Sequence, residues 1–309
     1  MNGIAAPIAA AESASLPAFL HPRNTIAVIM VVYMTGDALE QSVARVLADP
    51  LVNEFVIVDN GSNPVEAARL RSLADHDRRV VLLQGQGNIG FARGANLGAR
   101  TAVSDMLIFL NPDAFIQPGC LSELVRAIED QPVPSIVGGR VLNPDRTEQR
   151  GARRGDITPL TALMSLGGLA RHVPGWRRYE VHWENDAPLD QVSEVPTISG
   201  ACFCMRRADF DALKGFDEGY FLHVEDVDLC WRVRQEGGKV LFHPRAEVIH
   251  LGHTSQTSPL RVEYHKGVGL ARYFRKRAKG ASGHVAAWLL SPLVVAAAVA
   301  RPMMWWRRK

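Results

Sequence analysis

Runs of uncharged, β-branched residues alternate along this chain with segments whose apolar positions recur at helical spacing. Ile26–Tyr33 (IAVIMVVY) is continuous and apolar, the pattern of a strand buried in a parallel sheet. Asp37 then offers a cap, and Leu39, Val43, Val46 and Leu47 mark one face of a helix. Phe55–Val58 predicts a second buried strand, ending at Asp59. Asn63-Pro64 sets a cap before proline at the first helical position and opens a helix through Leu73. Val80–Leu83 and Leu107–Leu110 read as further strands, and Phe91–Ala102 and Leu121–Ile128 as helices. The alternation predicts an α/β fold: a doubly wound, mostly parallel sheet flanked by helices over residues 25–140.

Residues 143–195 have weak periodicity and many Arg, Gly and Pro residues. They predict loops, with one helix near Leu160–Leu169. Regularity returns with a strand at Ala201–Met205, a helix at Asp209–Leu213 stopped by Gly215, and a helix at Val224–Gln235. Short strands follow near Val240–Phe242 and Glu247–Ile249.

Composition narrows the function classes. With 309 residues there is room for one large domain or two modest ones, and a net charge of +3 gives no case for a nucleic-acid partner. Cys120, Cys202, Cys204 and Cys230 form no CxxC pair, so they read as buried, reduced thiols in a cytosolic chain. Residues 1–24 are rich in Ala, Ser and Pro without a basic segment before an apolar core, a flexible leader rather than a secretory signal.

The candidate chemistry sits at element ends. MLIFLNPD delivers Asp113 just past a strand, at the sheet edge where ligands bind in open α/β folds. A carboxylate there can hold a hard divalent cation against phosphate oxygens, or can cap the Asn-Pro-Asp turn. Asp59 can accept a hydrogen bond from a nucleobase imide, or close an Asx-turn over Asn60-Gly61-Ser62. Gly90, Gly94 and Gly98 recur every four residues and suit tight helix–sheet packing. Asn88, Arg93 and Asn96 between them are the candidates for ligand contact.

In HVEDVDLCWR, Asp228 can pair with Arg232 one turn on, a surface-like role. Asp226 lies beside an apolar face close to a helix N-terminus. It could serve as a general base for a hydroxyl, or merely complement the helix dipole. His250, with His253 nearby, stands at a strand end where an imidazole could ligate a metal, contact a diphosphate, or do neither.

In this order, IAVIMVVYMTG, FVIVDNGS, NIGFARGANLG, LIFLNPD, SGACFCMRRADFDALKGFDEGYFLHVEDVDLCWR and VIHLGHTS resemble the family 2 glycosyltransferases of GT-A fold, over about residues 25–255. The nearest branch is rhamnosyltransferase-like, in which NPD stands where other members have DxD. The resemblance implies inverting transfer of a sugar, rhamnose in that branch, from a dTDP- or UDP-sugar to a hydroxyl of a glycan or lipid-linked acceptor. A divalent cation, Mg²⁺ or Mn²⁺, would assist. It implies Asp59, Asn88, Arg93 and Asn96 on the donor and Asp113 and His250 at the metal or diphosphate. It implies Asp226 as base, with Glu225 supporting it or touching the acceptor. Asn111 stands where many members have the first Asp of DxD, leaving the metal one anionic ligand short.

Two rivals remain. A sugar nucleotidyltransferase would be expected to carry a basic, Gly-rich phosphate loop after the first strand, and Tyr33-Met34-Thr35-Gly36-Asp37 has no basic residue. A sugar-nucleotide-binding scaffold without turnover would bind donor and stop there. From residue 261 the composition shifts: Lys266, Arg272, Arg275, Lys276, Arg277 and Lys279 precede the apolar run Val285–Ala300, with Trp305, Trp306 and three basic residues after it. The segment reads as a tail associating with the cytoplasmic face of a membrane, as a core helix folded back on the domain, or, if the run extends through Arg301 to Trp306, as a full span.

Overall fold

A computed structural model describes residues 24–166, 170, 173, 175–252, 254, 255 and 257–306. The expected leader, His253 and the last part of the helix expected near Leu160–Leu169 lie outside the described residues. So do residues 307–309 and the side chains of Trp305 and Trp306.

Each short apolar run of the sheet region becomes a strand. β1 is Ile26–Val32, β2 Val52–Asp59, β3 Val80–Leu83, β4 Met106–Leu110 and β5 Ala114–Ile116. β6 is Ser135–Leu142, β7 Arg153–Arg154, β8 Ser193–Glu194, β9 Thr197–Ile198, β10 Cys202–Arg206 and β11 Lys239–His250. The helices are α1 Ala38–Ala48, α2 Pro64–His76, α3 Phe91–Thr101, α4 Cys120–Glu129 and α5 Pro159–Leu166. α6 Arg207–Ala212, α7 Glu225–Gln235, α8 Pro259–Arg277 and α9 Gly280–Trp306 complete the set.

The main sheet runs β3-β2-β1-β4-β10-β6-β11-β5, with β8 beside β11, and β7 pairs β9 separately. β3, β2, β1 and β4 are parallel, as the strand–helix alternation requires. Beyond β4 the sheet is mixed, because β10 runs antiparallel to both β4 and β6 while β6 and β11 are parallel. The two strands expected near residues 240 and 249 are one strand, β11, whose register slips between His243 and Glu247.

The period of two along β1 builds two cores. Ile29 and Val31 face one layer with Val56, Val58, Ala95 and Phe109, while Val28, Met30 and Val32 face the other with Leu39, Val43 and Leu121. Both faces are covered by helices, which is why β1 is apolar at every position. α3 lies close on the sheet: a Cβ on Gly98 would sit 2.7 Å from Ile29 Cγ2, and one on Gly94 3.0 Å from Val31 Cγ1. The recurring glycines are thus explained by packing. Asn63 caps α2 as expected, accepting from the N–H groups of Val65 and Glu66. Asp37 makes no side-chain cap bond to α1, because its backbone is already helical.

The expected tail divides in two. α8 belongs to the core, with Tyr273 and Phe274 buried and Arg277 donating to Asp156. α9 packs along α8 yet stays largely outside: its apolar span Gly280–Ala300 is only 6 % buried. The four cysteines are free and buried, as expected.

Candidate active site

Parallel strands put the ends of β1, β2 and β4 at one edge, and the candidate residues gather there. At the end of β2, Asp59 Oδ1 accepts the N–H groups of Gly61 (3.0 Å) and Ser62 (2.7 Å), and Oδ2 accepts the Gln84 amide at 2.8 Å. The Asx-turn is therefore present. Burial raises the Asp59 carboxyl, but these donors outweigh it and hold the group below the usual aspartate range. Beside it, Thr35 Oγ1 and Asn60 Oδ1 are buried with no partner among the described residues. Buried polar atoms rarely stay unpaired, so this corner is suited to a polar ligand.

The candidate donor residues on and before α3 separate. Asn88 is exposed and accepts the Gly90 N–H at 3.1 Å. Arg93 is exposed, 3.7 Å from Glu218. Asn96, expected on the donor, is not available to one. Its Oδ1 accepts the Phe216 N–H and its Nδ2 donates to the Phe216 carbonyl, both at 2.9 Å, in a buried position. Its helical face points into the molecule, where the amide substitutes for a backbone partner of the 216–218 loop.

The second station follows β4. Asp113 Oδ1 lies 3.1 Å from His250 Nε2, and Oδ2 accepts from Thr254 Oγ1 at 3.0 Å. The tautomer of His250 follows from its partners. Gln149 Nε2 donates to the His250 carbonyl (3.0 Å) and to Asn143 Oδ1 (3.2 Å), so its Oε1 faces His250 Nδ1 at 2.7 Å and accepts that proton. Nε2 of the neutral ring is then a lone pair, directed at the Asp113 carboxylate with the Asn111 amide 3.3 Å away. A second ring proton or a cation satisfies this pair, and one carboxylate plus one imidazole is a donor set that divalent metals accept. An aspartate at 111 would crowd a second carboxylate onto that nitrogen; asparagine supplies a donor instead. Burial raises Asp113; with the second ring proton in place, the hydrogen bond and charge of His250, together with the Thr254 hydroxyl, hold it below the usual range. Among the described residues no group of three or more His, Cys, Asp or Glu forms a metal cluster.

The third station opens α7. His223 and Val224 both adopt positive φ, 66° and 74°, turning the chain sharply into the helix. Asp226 Oδ2 accepts Arg154 Nη2 at 2.5 Å and the Gly200 N–H at 3.1 Å, while Oδ1 accepts the Val227 N–H at 2.8 Å. Burial pushes Asp226 up, but the Arg154 charge and these bonds hold it below the usual range. Glu225 goes the other way. Burial and the adjacent Asp226 charge push it up to about 8, and its Oε2 is buried with no partner among the described residues. The two neighbouring carboxyls are driven apart in this way, leaving an ionised carboxylate beside a neutral carboxyl. Asp228, expected at the surface, is wholly buried, held by Arg232, Lys276 and the Tyr220 hydroxyl.

Two adjacent residues join the last two stations. The Ala201 carbonyl accepts the Asn111 N–H at 2.9 Å, and the Gly200 N–H donates to Asp226. The turn into β10 thus ties the Asn111–Asp113 loop to the acidic pair. Arg154 and Gln149 lie in the stretch whose weak periodicity predicts loops, and like Thr254, Thr35 and Asn60 they are site residues that the sequence does not single out. Only Thr35 and Asn60 carried a signal, as polar residues just past strand ends.

Comparison with known proteins agrees with this architecture. The family model described as glycosyl transferase family 2 matches residues 27–213, more than half of the chain, including Asp59 and Asp113. The N-acetylglucosaminyl-diphospho-decaprenol L-rhamnosyltransferase of Mycobacterium tuberculosis is 28% identical over 74% of this chain and 76% of its own length. The rhamnosyltransferase WbbL of Escherichia coli is 22% identical over 75% and 85%.

Among solved structures, GalNAc-T7 with UDP, GalNAc and Mn²⁺ matches with a TM-score of 0.60 at 18% identity, over 82% of this chain and 48% of that one. The chain thus spans about half the length of that protein. The mannosyltransferase PcManGT of Pyrobaculum calidifontis, in complex with GDP-Man and Mn²⁺, matches with a TM-score of 0.58 at 15% identity, over 90% and 74%. These likenesses give the GT-A fold, and the family match with the rhamnosyltransferase relatives gives the class: the chain belongs to glycosyl transferase family 2, on its rhamnosyltransferase-like side, and is a glycosyltransferase.

Proposed function

We propose that the chain is an inverting transferase that moves a sugar, rhamnose by likeness to its relatives, from a dTDP- or UDP-sugar to a hydroxyl of a glycan or lipid-linked acceptor. The observation that carries this reading is the turn at Gly200–Ala201. It links the Asp113–His250 pair to the Asp226–Glu225 pair, so that a diphosphate-facing station and a proton-accepting station share one rigid support.

In this reading Asp59, with Thr35 and Asn60 beside it, receives the nucleoside, and Asn88 and Arg93 border the donor. Asp113 and His250 would hold a divalent cation, Mg²⁺ or Mn²⁺, with Gln149 fixing the ring. When bound, the cation neutralises charge on the diphosphate leaving group. Asp226, ionised at neutral pH, accepts the proton of the acceptor hydroxyl as that oxygen attacks the anomeric carbon. A carboxylate offers about four acceptor positions; Arg154, Gly200 and Val227 take three, and one is left for the hydroxyl. Glu225, protonated beside it, keeps a second negative charge out of the pocket.

The protein would work in the cytoplasm, peripherally at the inner face of the membrane. The catalytic domain expected over residues 25–260 takes in α8 as well, whose Tyr273 and Phe274 are buried in it, and α9 carries the membrane contact. Asp226→Asn tests the assignment: donor binding should persist while transfer falls about 10²–10⁴-fold, the usual worth of general-base catalysis. Unchanged turnover would remove Asp226 from the mechanism.

A further inference from the structure

α9 exposes a broad apolar surface. Val285, Trp288, Leu289, Leu290 and Leu293 are between 45% and 72% exposed. Exposed apolar area of this kind marks an interaction site. The helix does not stand free. Gly267 of α8 brings the two helices together, since a Cβ there would lie 2.9 Å from both Ala298 Cβ and Val295 Cα. Arg275 Nη1 donates to Ser291 Oγ at 2.7 Å. α8 in turn is fastened to the catalytic domain by Arg277 on Asp156, Lys276 on Asp228 and His265 stacked on Phe221. Crossing a bilayer would strip α9 from this support, so whatever covers its apolar face covers it from the side.

A cavity of about 450 Å³ opens where α8 and α9 meet, lined by Asp217, Arg272, Arg275, Lys276, His284 and Trp288. Among the lining residues three cations face one carboxylate, and Lys276 also pairs with the buried Asp228 behind the wall. Asp217 takes Arg272 and Lys276, and Arg275 lies 4.5 Å above the Trp288 ring with donors to spare beyond Ser291. Trp288 is at once a wall of this cavity and part of the exposed apolar face. The occupant must therefore present hydrocarbon and a negative group side by side. We propose that the α8–α9 cavity binds the phosphate headgroup of an anionic bilayer lipid while α9 lies along the membrane surface. The inference rests on the membrane-facing reading of this segment and names the ligand it recognises. A basic rim beside a surface-lying apolar helix is the arrangement that anionic bilayers select.

The test is flotation of the full chain with vesicles of phosphatidylcholine alone, or with about a third phosphatidylglycerol, in low and high salt. Binding should be markedly stronger to the anionic vesicles and weaken with salt. Arg275→Gln and His284→Gln should each lower it, Arg275→Gln by about fivefold, the worth of one surface cation. Leu289→Asp with Leu293→Asp should abolish binding to both compositions. Thermal unfolding distinguishes a loosened hairpin from a lost ligand, and the exposed His284 serves where Arg275 destabilises the fold. Equal binding to neutral and anionic vesicles, indifferent to both polar variants, would overturn the headgroup site and leave the membrane reading standing. No binding to either, or salt-independent self-association through α9, would overturn both.

Discussion

Arg154 reaches across 72 residues of sequence to place Nη2 2.5 Å from Asp226 Oδ2. The same nitrogen donates to the Ile198 carbonyl at 2.7 Å, and Arg154 Nε is buried with no partner among the described residues. The guanidinium is thus anchored on the strand pair β7–β9 and aimed at one carboxylate. It keeps Asp226 ionised and fixes which oxygen remains open. Removing the cation raises the Asp226 carboxyl toward or above its ordinary range. The acidic limb of the kcat/KM profile should therefore move to higher pH in Arg154→Gln, with kcat lower by about 10²-fold from misplacement of the base. Arg154→Lys should move the limb less. An unshifted limb would make Arg154 a purely structural residue.

Glu225 contributes a pH dependence of opposite sense. Its folded pKa, about 8, lies above the ordinary value of 4.5, so between these values the folded chain holds a proton that the unfolded chain releases. Stability contributed by this site is intact near pH 4.5 and declines as pH rises toward 8. Glu225→Gln removes the slope. Urea unfolding should give matching stabilities near pH 5, with the variant ahead by at least about 1 kcal/mol at pH 8. Parallel curves would contradict the buried, protonated state.

Gln149 touches neither Asp113 nor the acidic pair, yet it sets the tautomer of His250. Gln149→Ala should raise the metal concentration for half-maximal activity about 10–100-fold, the usual cost of losing such an orienting partner. Thermal stability should change little. An unaltered metal requirement would show that His250 works without it.

The family resemblance implies a donor contact for Asn96 on its helix, whereas in the structure its amide clamps the Phe216 backbone. Asn96→Ala leaves the Phe216 N–H and carbonyl without partners and should cost about 1–3 kcal/mol. Calorimetry checks this. A loss of donor affinity with unchanged stability would restore the original reading.

These cases show what the sequence could disclose. β1, β2 and β4 were legible because burial on both faces leaves no polar position, and Asp59 and Asp113 because they stand where such runs stop. Asp226 was legible as an acid entering a helix. The partners that tune these groups were not. Gln149 meets His250 across 101 residues and Arg154 meets Asp226 across 72, by pairings that no local periodicity encodes. The mixed half of the sheet was hidden for the same reason: a short apolar strand such as β10 reads alike whether it runs parallel or antiparallel. Asp228 misled because an i, i+4 pair with Arg232 looks the same on a surface or under α8.

The central claim is tested most directly by donor binding and turnover over a panel of UDP-, dTDP- and GDP-sugars, with Mn²⁺, Mg²⁺ or EDTA. One uridine or thymidine donor should be selected, with binding and turnover dependent on the metal and both reduced in Asp113→Ala. Binding of no donor by correctly folded protein, or selection that ignores both EDTA and Asp113→Ala, would contradict the account.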